Sequence, residues 1–321
     1  MRKCCVVGDF LSKENKADMR RTAENCGFEI EFFENAEAAD GNVGDAELCY
    51  GGHPELLPQM QGLKWCHTAY AGVGNLIKTG IFDSGEVVLT NSSGAYGRTI
   101  SEHIIMVTLM LMRQMPEYNK IMSAHGWVQD YPIRSIEGSR ICIIGTGDIG
   151  RNAAKRYRAL GAESVTGFNR SGRAVDEFDE VYKLDEFDRV IDGAAIDVLL
   201  LCVPGTPDSK GILSAERISK LPGGTLVINV GRGSAIDQDA LMEALNEGRI
   251  AGAALDVVMP EPLPTDHPLW TAKNCIITPH ISGDMGLPYT VDKTVEYFCE
   301  NLKRYTRGEE LINIVDIEAG Y

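Results

Sequence analysis

The sequence predicts an α/β protein, a doubly wound parallel sheet with helices on both faces, joined to a second, smaller α/β domain. Three observations predict it. From about residue 140, short and almost unbroken apolar runs alternate with helix-length stretches. A glycine-rich turn, GTGDIG at 145–150, stands between an apolar run and a helical pattern. The first hundred residues repeat the alternation in looser form. Continuous hydrophobic strands belong to parallel sheets, whose crossover helices bury both faces.

In chain order, MRKCCVVGDF opens with two cations, but its apolar run is about five residues long and closes at Asp9, too short for a signal peptide. It reads as a first strand. FEIEFF, AELCYGG, LKWCHTAY and EVVLTNS continue the smaller domain. SEHIIMVTLMLMRQM (101–115) is apolar nearly all round, so it is expected to be a buried helix, with its methionines as core filler. It falls short of the roughly 20 apolar residues of a membrane span. A small domain could hardly cover it alone, which predicts a homodimer built on the segment after the crossover. RICIIG, SVTGF, DVLLLCVP, GTLVINV, AGAALDVV and NCIITPH then read as the strands of the larger domain, with a helix over Ile236 to Glu247. The amphipathic TVEYFCENLKRY returns after that sheet has ended. Packed on the first domain, it would make that domain discontinuous, 1–98 plus 288–321, around a domain at 99–287.

At 321 residues the chain is comfortable for two domains. Its 31 basic and 46 acidic residues give a formal charge of -15, which repels nucleic acid and anionic lipid alike, so neither nucleic acid nor a membrane is expected as a partner. The nine cysteines are odd in number, contain no C-x-x-C pair and lie mostly in strand-like runs. They read as small hydrophobes in a reducing, cytoplasmic compartment. NSS at 91 and NRS at 169 match the glycosylation triplet, but that compartment argues against their use.

GTGDIG has a strand before it and a helix after it, the context that a G-x-G-x-x-G needs to be a dinucleotide loop. Gly145 permits the tight turn, Gly147 lets the backbone approach a pyrophosphate, and Gly150 allows close helix packing. The plain alternative is a structural glycine turn. Nineteen positions after Gly150, where a carboxylate for the ribose 2′-hydroxyl is expected, stand Asn169, Arg170 and Ser171. A cation beside two neutral polar groups suits a 2′-phosphate, to which Arg173 could add. Alternatively, Arg170 is a solvated loop residue.

Three segments fall at expected C-terminal strand ends, the edge where open parallel sheets bind ligands: NVGRGSAID (229–237), ALDVVMPEPLPTDHPLW (254–270) and TPHISG (278–283). They offer one Arg, one Glu and one His. That trio suits reduction of a 2-oxo acid, with a cation for the carboxylate, an imidazolium for the carbonyl oxygen, and a carboxylate to orient the imidazole. The alternative for His280 is a strand cap. His53, His67, His125 and His267 form no metal-ligand spacing, and no metal is expected.

With these segments in this order, the chain resembles the D-isomer-specific 2-hydroxyacid dehydrogenase family over nearly its whole length, most closely in its glyoxylate/hydroxypyruvate reductase-like members. The resemblance implies a Rossmann-type cofactor domain and a smaller, flavodoxin-like substrate-binding domain. It implies Arg232 on the substrate carboxylate and carbonyl, Glu261 paired with His280, and His280 as the acid/base. Cofactor contacts are implied at Gly145, Gly147, Asp148, Ile149, Gly150, Asn169, Arg170, Ser171, Val203, Pro204, Val230 and Gly283, with Asp256 on the nicotinamide carboxamide. YAGVGNL is similar to the family's substrate loop, in which backbone N–H groups near Val73 and Gly74 cradle the carboxylate, Asn75 shapes the pocket, and Ala71 and Gly72 line it.

Two departures matter. The family's usual Asp is Asn169 here, so NADP is the expected cofactor, with NAD possible. The crossover reads Ser101-Glu102-His103, and His103 either faces the cleft or is a satisfied core histidine. The function so implied is D-specific hydride transfer between NADP(H) and a small 2-oxo or 2-hydroxy acid, of glyoxylate/hydroxypyruvate type. D-lactate and phosphoglycerate dehydrogenases are the alternatives within the family, and a nicotinamide-sensing, corepressor-like interaction protein is the alternative outside catalysis.

Overall fold

A computed structural model describes residues 2–321. The chain divides into two compact units, residues 2–96 with Asp284–Tyr321, and Gly97–Gly283.

The first unit holds five parallel strands, β1 (Arg2–Val7), β2 (Phe28–Phe33), β3 (Leu48–Tyr50), β4 (Trp65–His67) and β5 (Val88–Thr90), in the order β2-β1-β3-β4-β5. Its first helix, Lys13–Asn25, starts where Ser12 Oγ accepts the Asn15 N–H and Asn15 Oδ1 accepts the Ser12 N–H. That reciprocal cap satisfies two donors the helix would otherwise leave open. The C-terminal helix Pro288–Arg307 buries Val291, Val295, Phe298 and Leu302, one stripe at helical spacing. Phe298 stacks on Trp65 at 5.3 Å and meets the edge of Tyr50 at 5.2 Å, closing one face of this sheet. Beyond Gly308, Val315 N–H donates to Leu89 O and Ile314 bridges Thr90 antiparallel, so the tail covers the β5 edge.

The second unit holds seven parallel strands: β6 (Arg140–Ile144), β7 (Ser164–Asn169), β8 (Glu180–Lys183), β9 (Val198–Leu201), β10 (Leu226–Asn229), β11 (Gly252–Leu255) and β12 (Cys275–Ile277). Their order is β12-β11-β10-β9-β6-β7-β8. All pair in parallel. From β6 the chain winds one way through β7 and β8, then the other way from β9 onward, so the direction of winding reverses between β6 and β9. Such a reversal opens a crevice at the carboxyl ends of the two strands. The sequence shows six of these seven strands. Edge strand β8 escapes it because EVYK is short and half charged, the form an edge takes.

The helix Gly97–Met112 corrects the expectation of burial all round. Ile100, Ile104, Val107 and Leu111 are buried, but Met106 is 47% exposed. It packs chiefly on the helix Asp148–Ala159, with further contacts to β10, β11 and the segment that follows it. It also stops before Met115: Gln114 turns left-handed at φ 56, and a second helix runs Met115–Ser123. Among the described residues, no helix is long and apolar enough to cross a membrane.

Candidate active site

Arg232, Glu261 and His280 follow three neighbouring strands, β10, β11 and β12, at their carboxyl ends. Asn229, 1% exposed, shapes the first of these turns. Its Oδ1 accepts the Gly231 N–H at 3.0 Å and its Nδ2 donates to Arg232 O at 2.9 Å. A Cβ on Gly233 would lie 2.2 Å from Val258 O, so only glycine lets this turn pack on the next. Arg232 spends one donor on Gly231 O at 2.7 Å. Its remaining donors have no acceptor among the described residues, which suits a planar, bidentate anion.

His280 donates Nδ1–H to Glu261 Oε2 at 2.9 Å, while Glu261 Oε1 accepts the Val258 N–H at 3.1 Å. A carboxylate fixed at both oxygens orients the ring and leaves Nε2 as the atom that can carry a proton outward. The His280 backbone is left-handed, φ 55, and its N–H donates to Asp256 O.

Asp256, to which the resemblance gives a nicotinamide contact, is held within its own loop. It is 2% exposed, and its carboxylate is occupied: Oδ1 accepts Thr278 Oγ1–H at 2.6 Å and Ile281 N–H at 2.9 Å, and Oδ2 accepts Ser282 N–H at 3.0 Å. Burial would raise this carboxyl, but the donors from Ser282, Thr278 and Ile281 outweigh burial and hold it below its ordinary value. Its side chain ties the TPHISG loop rather than offering itself outward. His103 belongs to the same layer, with Nε2 at 3.4 Å from Thr278 Oγ1, and burial lowers its pKa against the opposing charge of Asp256. Neither Asn229 nor Thr278 was singled out from the sequence; the polar residues flanking the glycines and the proline were the available signal.

The glycine loop follows β6, beside β9. A Cβ on Gly150 would stand 2.0 Å from Gly145 O, so the helix Asp148–Ala159 can start this close only at glycine. A Cβ on Gly147 would meet nothing within 4 Å, which leaves an open approach to the first turn of that helix and its unsatisfied N–H groups. These residues fit a dinucleotide pyrophosphate. The Asp148 side chain accepts the Gly97 N–H at 2.7 Å and Asn152 Nδ2–H at 3.0 Å; burial raises its carboxyl. Only its backbone is left for a phosphate. Val203 and Pro204 follow β9, Val230 follows β10, and Ile149 and Gly283 lie in the helix start and the loop end.

Asn169 is also turned inward. Its Nδ2 donates to Thr146 Oγ1 at 2.9 Å and to Arg173 O at 3.1 Å, and its Oδ1 accepts from Ser171 N at 3.0 Å and Gly172 N at 2.6 Å. With both ends used, Asn169 builds the loop that carries Arg170, Ser171 and Arg173 rather than contacting a ligand itself. As for the NSS triplet, Asn91 is 4% exposed and bonded on both sides of its amide, so the folded chain does not present it for glycosylation.

In the first unit, four consecutive carbonyls of TAYAGVG are tied down. Thr68 O accepts Ser92 Oγ–H at 3.0 Å, Ala69 O accepts Tyr96 Oη–H at 2.7 Å, Tyr70 O accepts Ser92 N–H at 3.2 Å, and Ala71 O accepts Asn91 Nδ2–H at 3.0 Å. The N–H groups of Ala71, Gly72, Val73, Gly74 and Asn75 find no acceptor among the described residues. Successive open N–H groups form a concavity suited to an anion.

Comparison with known proteins agrees with this chemistry. The family described as D-isomer specific 2-hydroxyacid dehydrogenase, NAD binding domain, matches residues 105–282. A crystal structure of a D-isomer specific 2-hydroxyacid dehydrogenase family protein from Aeromonas salmonicida is 31% identical, with 98% of this chain and 99% of that one covered and a TM-score of 0.83. An NADPH-dependent glyoxylate/hydroxypyruvate reductase from Sinorhizobium meliloti, solved with NADP and sulfate, is 26% identical over the full length of both chains, also with a TM-score of 0.83. Glyoxylate/hydroxypyruvate reductase A of Photorhabdus laumondii is 28% identical over 287 residues, 88% of this chain and 89% of that one. The chain belongs to the D-isomer-specific 2-hydroxyacid dehydrogenase family and is an NAD(P)-dependent oxidoreductase.

Proposed function

We propose that the protein is a reductase of small 2-oxo acids, of glyoxylate or hydroxypyruvate type, that yields D-2-hydroxy acids and prefers NADPH to NADH. The observation that carries it is the 2.9 Å bond from His280 Nδ1 to Glu261 Oε2 at the carboxyl edge of the sheet. It leaves His280 Nε2 to give a proton to the substrate's carbonyl oxygen, with Glu261 balancing the charge. Arg232 holds the substrate's carboxylate and polarises its carbonyl. The loop around Ala71, Gly72, Val73, Gly74 and Asn75 offers open N–H donors of the kind a substrate carboxylate takes. The bound nicotinamide supplies hydride chemistry to the carbonyl carbon. Its pyrophosphate is assigned to Gly145, Gly147 and Gly150 and to the backbone of Asp148 and Ile149.

The preference for NADP rests on the neutral Asn169 and the loop it builds, which carries two arginines and a serine and no carboxylate between 169 and 173. Small side chains at Ala69, Ala71 and Gly72 favour a short substrate. A phosphorylated one would need basic groups around this loop, and residues 68–77 carry neither Lys nor Arg. We also propose a homodimer in which a second copy covers Met106, Met122, Trp127 and Ile133, exposed apolar residues within one stretch of chain. Mixing the protein with NADPH or NADH and glyoxylate, hydroxypyruvate, pyruvate or 3-phosphohydroxypyruvate tests the reading. Turnover is expected fastest with NADPH and the first two acids. A chain that binds nucleotide but oxidises NADPH with none of the acids would be a sensor instead.

A further inference from the structure

His67 lies in β4, fully buried, just before the loop that carries the open N–H groups of Ala71 to Asn75. It stacks on Tyr50 at 5.7 Å and stands edge-on to Trp65, which alone would make it core filler. Its hydrogen bonds say more. Trp65 Nε1 can only donate, and does so to Thr90 Oγ1 at 2.8 Å. Thr90 still has its own proton, which a bare His67 Nδ1, 2.7 Å away, can accept. At the other side, Ser92 Oγ gives its single proton to Thr68 O at 3.0 Å, so the 3.1 Å contact between His67 Nε2 and Ser92 Oγ requires that Nε2 carry the hydrogen. With the ring neutral and its hydrogen on Nε2, one proton arrangement satisfies the whole chain, from Trp65 through Thr90, His67 and Ser92 to Thr68. Burial gives that ring, lowering its pKa to about 3.

The chain ends on the first of the four tied carbonyls, and Ser92 holds the third as well through its backbone N–H. We infer that His67 is a positioning residue for the loop Thr68 to Asn75, fixing the Ser92 hydroxyl on Thr68 so that, with Tyr96 and Asn91, the loop's carbonyls stay bound inward and its N–H groups stay available to an anion. This rests on the proposed reading that the loop takes the substrate's carboxylate. An apolar side chain at 67 would fill the space between Tyr50 and Trp65, yet it would leave the Thr90 hydroxyl proton and the Ser92 oxygen without the partners the ring gives them, and free the Ser92 hydroxyl to rotate away from Thr68.

The test compares wild type with Ser92→Ala, His67→Leu and His67→Gln. Ser92→Ala removes one oxygen and is the variant least at risk of misfolding; His67→Gln restores an N–H near the Nε2 position. Ser92→Ala and His67→Leu should raise KM for glyoxylate by about five- to tenfold, the worth of one lost hydrogen bond, while KM for NADPH stays within about twofold and kcat falls less than KM rises. His67→Gln should recover part of the loss. Ser92→Ala or His67→Leu with a lower Tm but an unchanged KM for glyoxylate overturns the inference, because a core-filling histidine predicts that pattern. If the wild type reduces no 2-oxo acid with either nucleotide, the functional reading fails. The inference is then decided by amide NMR: Ser92→Ala shifts or broadens the N–H signals of Ala71 to Asn75 if the hydroxyl holds the loop, and leaves them in place if it does not.

Discussion

His280 and Glu261 meet across the ends of two neighbouring strands, Nδ1 to Oε2 at 2.9 Å, and the bond fixes which nitrogen faces outward. His280→Ala should therefore leave NADPH binding nearly unchanged while kcat falls by the roughly 10² to 10⁴ fold that a positioned general acid contributes. Glu261→Gln keeps a hydrogen-bonding group against the ring but not the charge, so its loss should be smaller than that of His280→Ala. Steady-state rates and nucleotide titrations of both variants check this. Turnover within about threefold of wild type in His280→Ala would return the histidine to a strand cap, and His103, behind Thr278, becomes the next residue to mutate.

Asn169→Asp should move cofactor preference toward NADH. The carboxylate can keep the acceptors for Ser171 and Gly172, but it cannot donate to Arg173 O, and its charge repels a 2′-phosphate. Asn169→Ala separates the two effects: it loses the loop's brace without adding charge and should weaken both nucleotides. The measurement is the ratio of kcat/KM for NADPH to that for NADH. A ratio unchanged in Asn169→Asp would remove the 169–173 loop from cofactor selection.

The exposed Met106, Met122, Trp127 and Ile133 predict a dimer mass by light scattering at micromolar protein. Met106→Glu with Ile133→Lys should shift the mass to a monomer if a second copy buries this face. A monomeric wild type removes the assembly from the reading.

The strands were legible because a parallel sheet buried on both faces writes unbroken apolar runs, and DVLLLCVP and GTLVINV show them plainly. The trio of Arg232, Glu261 and His280 was legible because each follows such a run. What stayed hidden was the direction in which polar side chains turn. Asp256 and Asn169 look from sequence like ligand contacts, since they stand where ligands bind. In the fold, both are consumed by their own loops, because a tight turn leaves backbone N–H groups that must find an acceptor nearby. His67 shows the converse, an ordinary residue of an apolar strand whose two ring nitrogens meet two hydroxyls, Thr90 and Ser92, that stand 23 and 25 residues further along the chain. Spacing cannot announce such a contact.

The same histidine sets a stability prediction with a definite sign. Its folded pKa, about 3, lies below the roughly 6.5 of an unfolded chain. Between those values the unfolded state binds a proton that the folded state refuses, so stability is full above about pH 6.5 and is lost as pH falls toward about 3. From pH 7 to pH 5 this one group should remove about 2 kcal/mol. Trp65 reports on its unit, being fully buried while Trp127 is 91% and Trp270 48% exposed, so the red shift of emission follows the first unit's unfolding. In urea, the wild-type midpoint should drop between pH 7 and pH 5, whereas His67→Gln should start lower, having lost packing, and decline less. Working in this window keeps clear of carboxylates such as Glu177, whose ion pairs with Arg151 and Lys155 hold its pKa near about 2 and make it matter only at lower pH. Parallel declines in the two proteins would mean that His67 takes up its proton in the folded state, and the single proton arrangement from Trp65 to Thr68 would then be wrong.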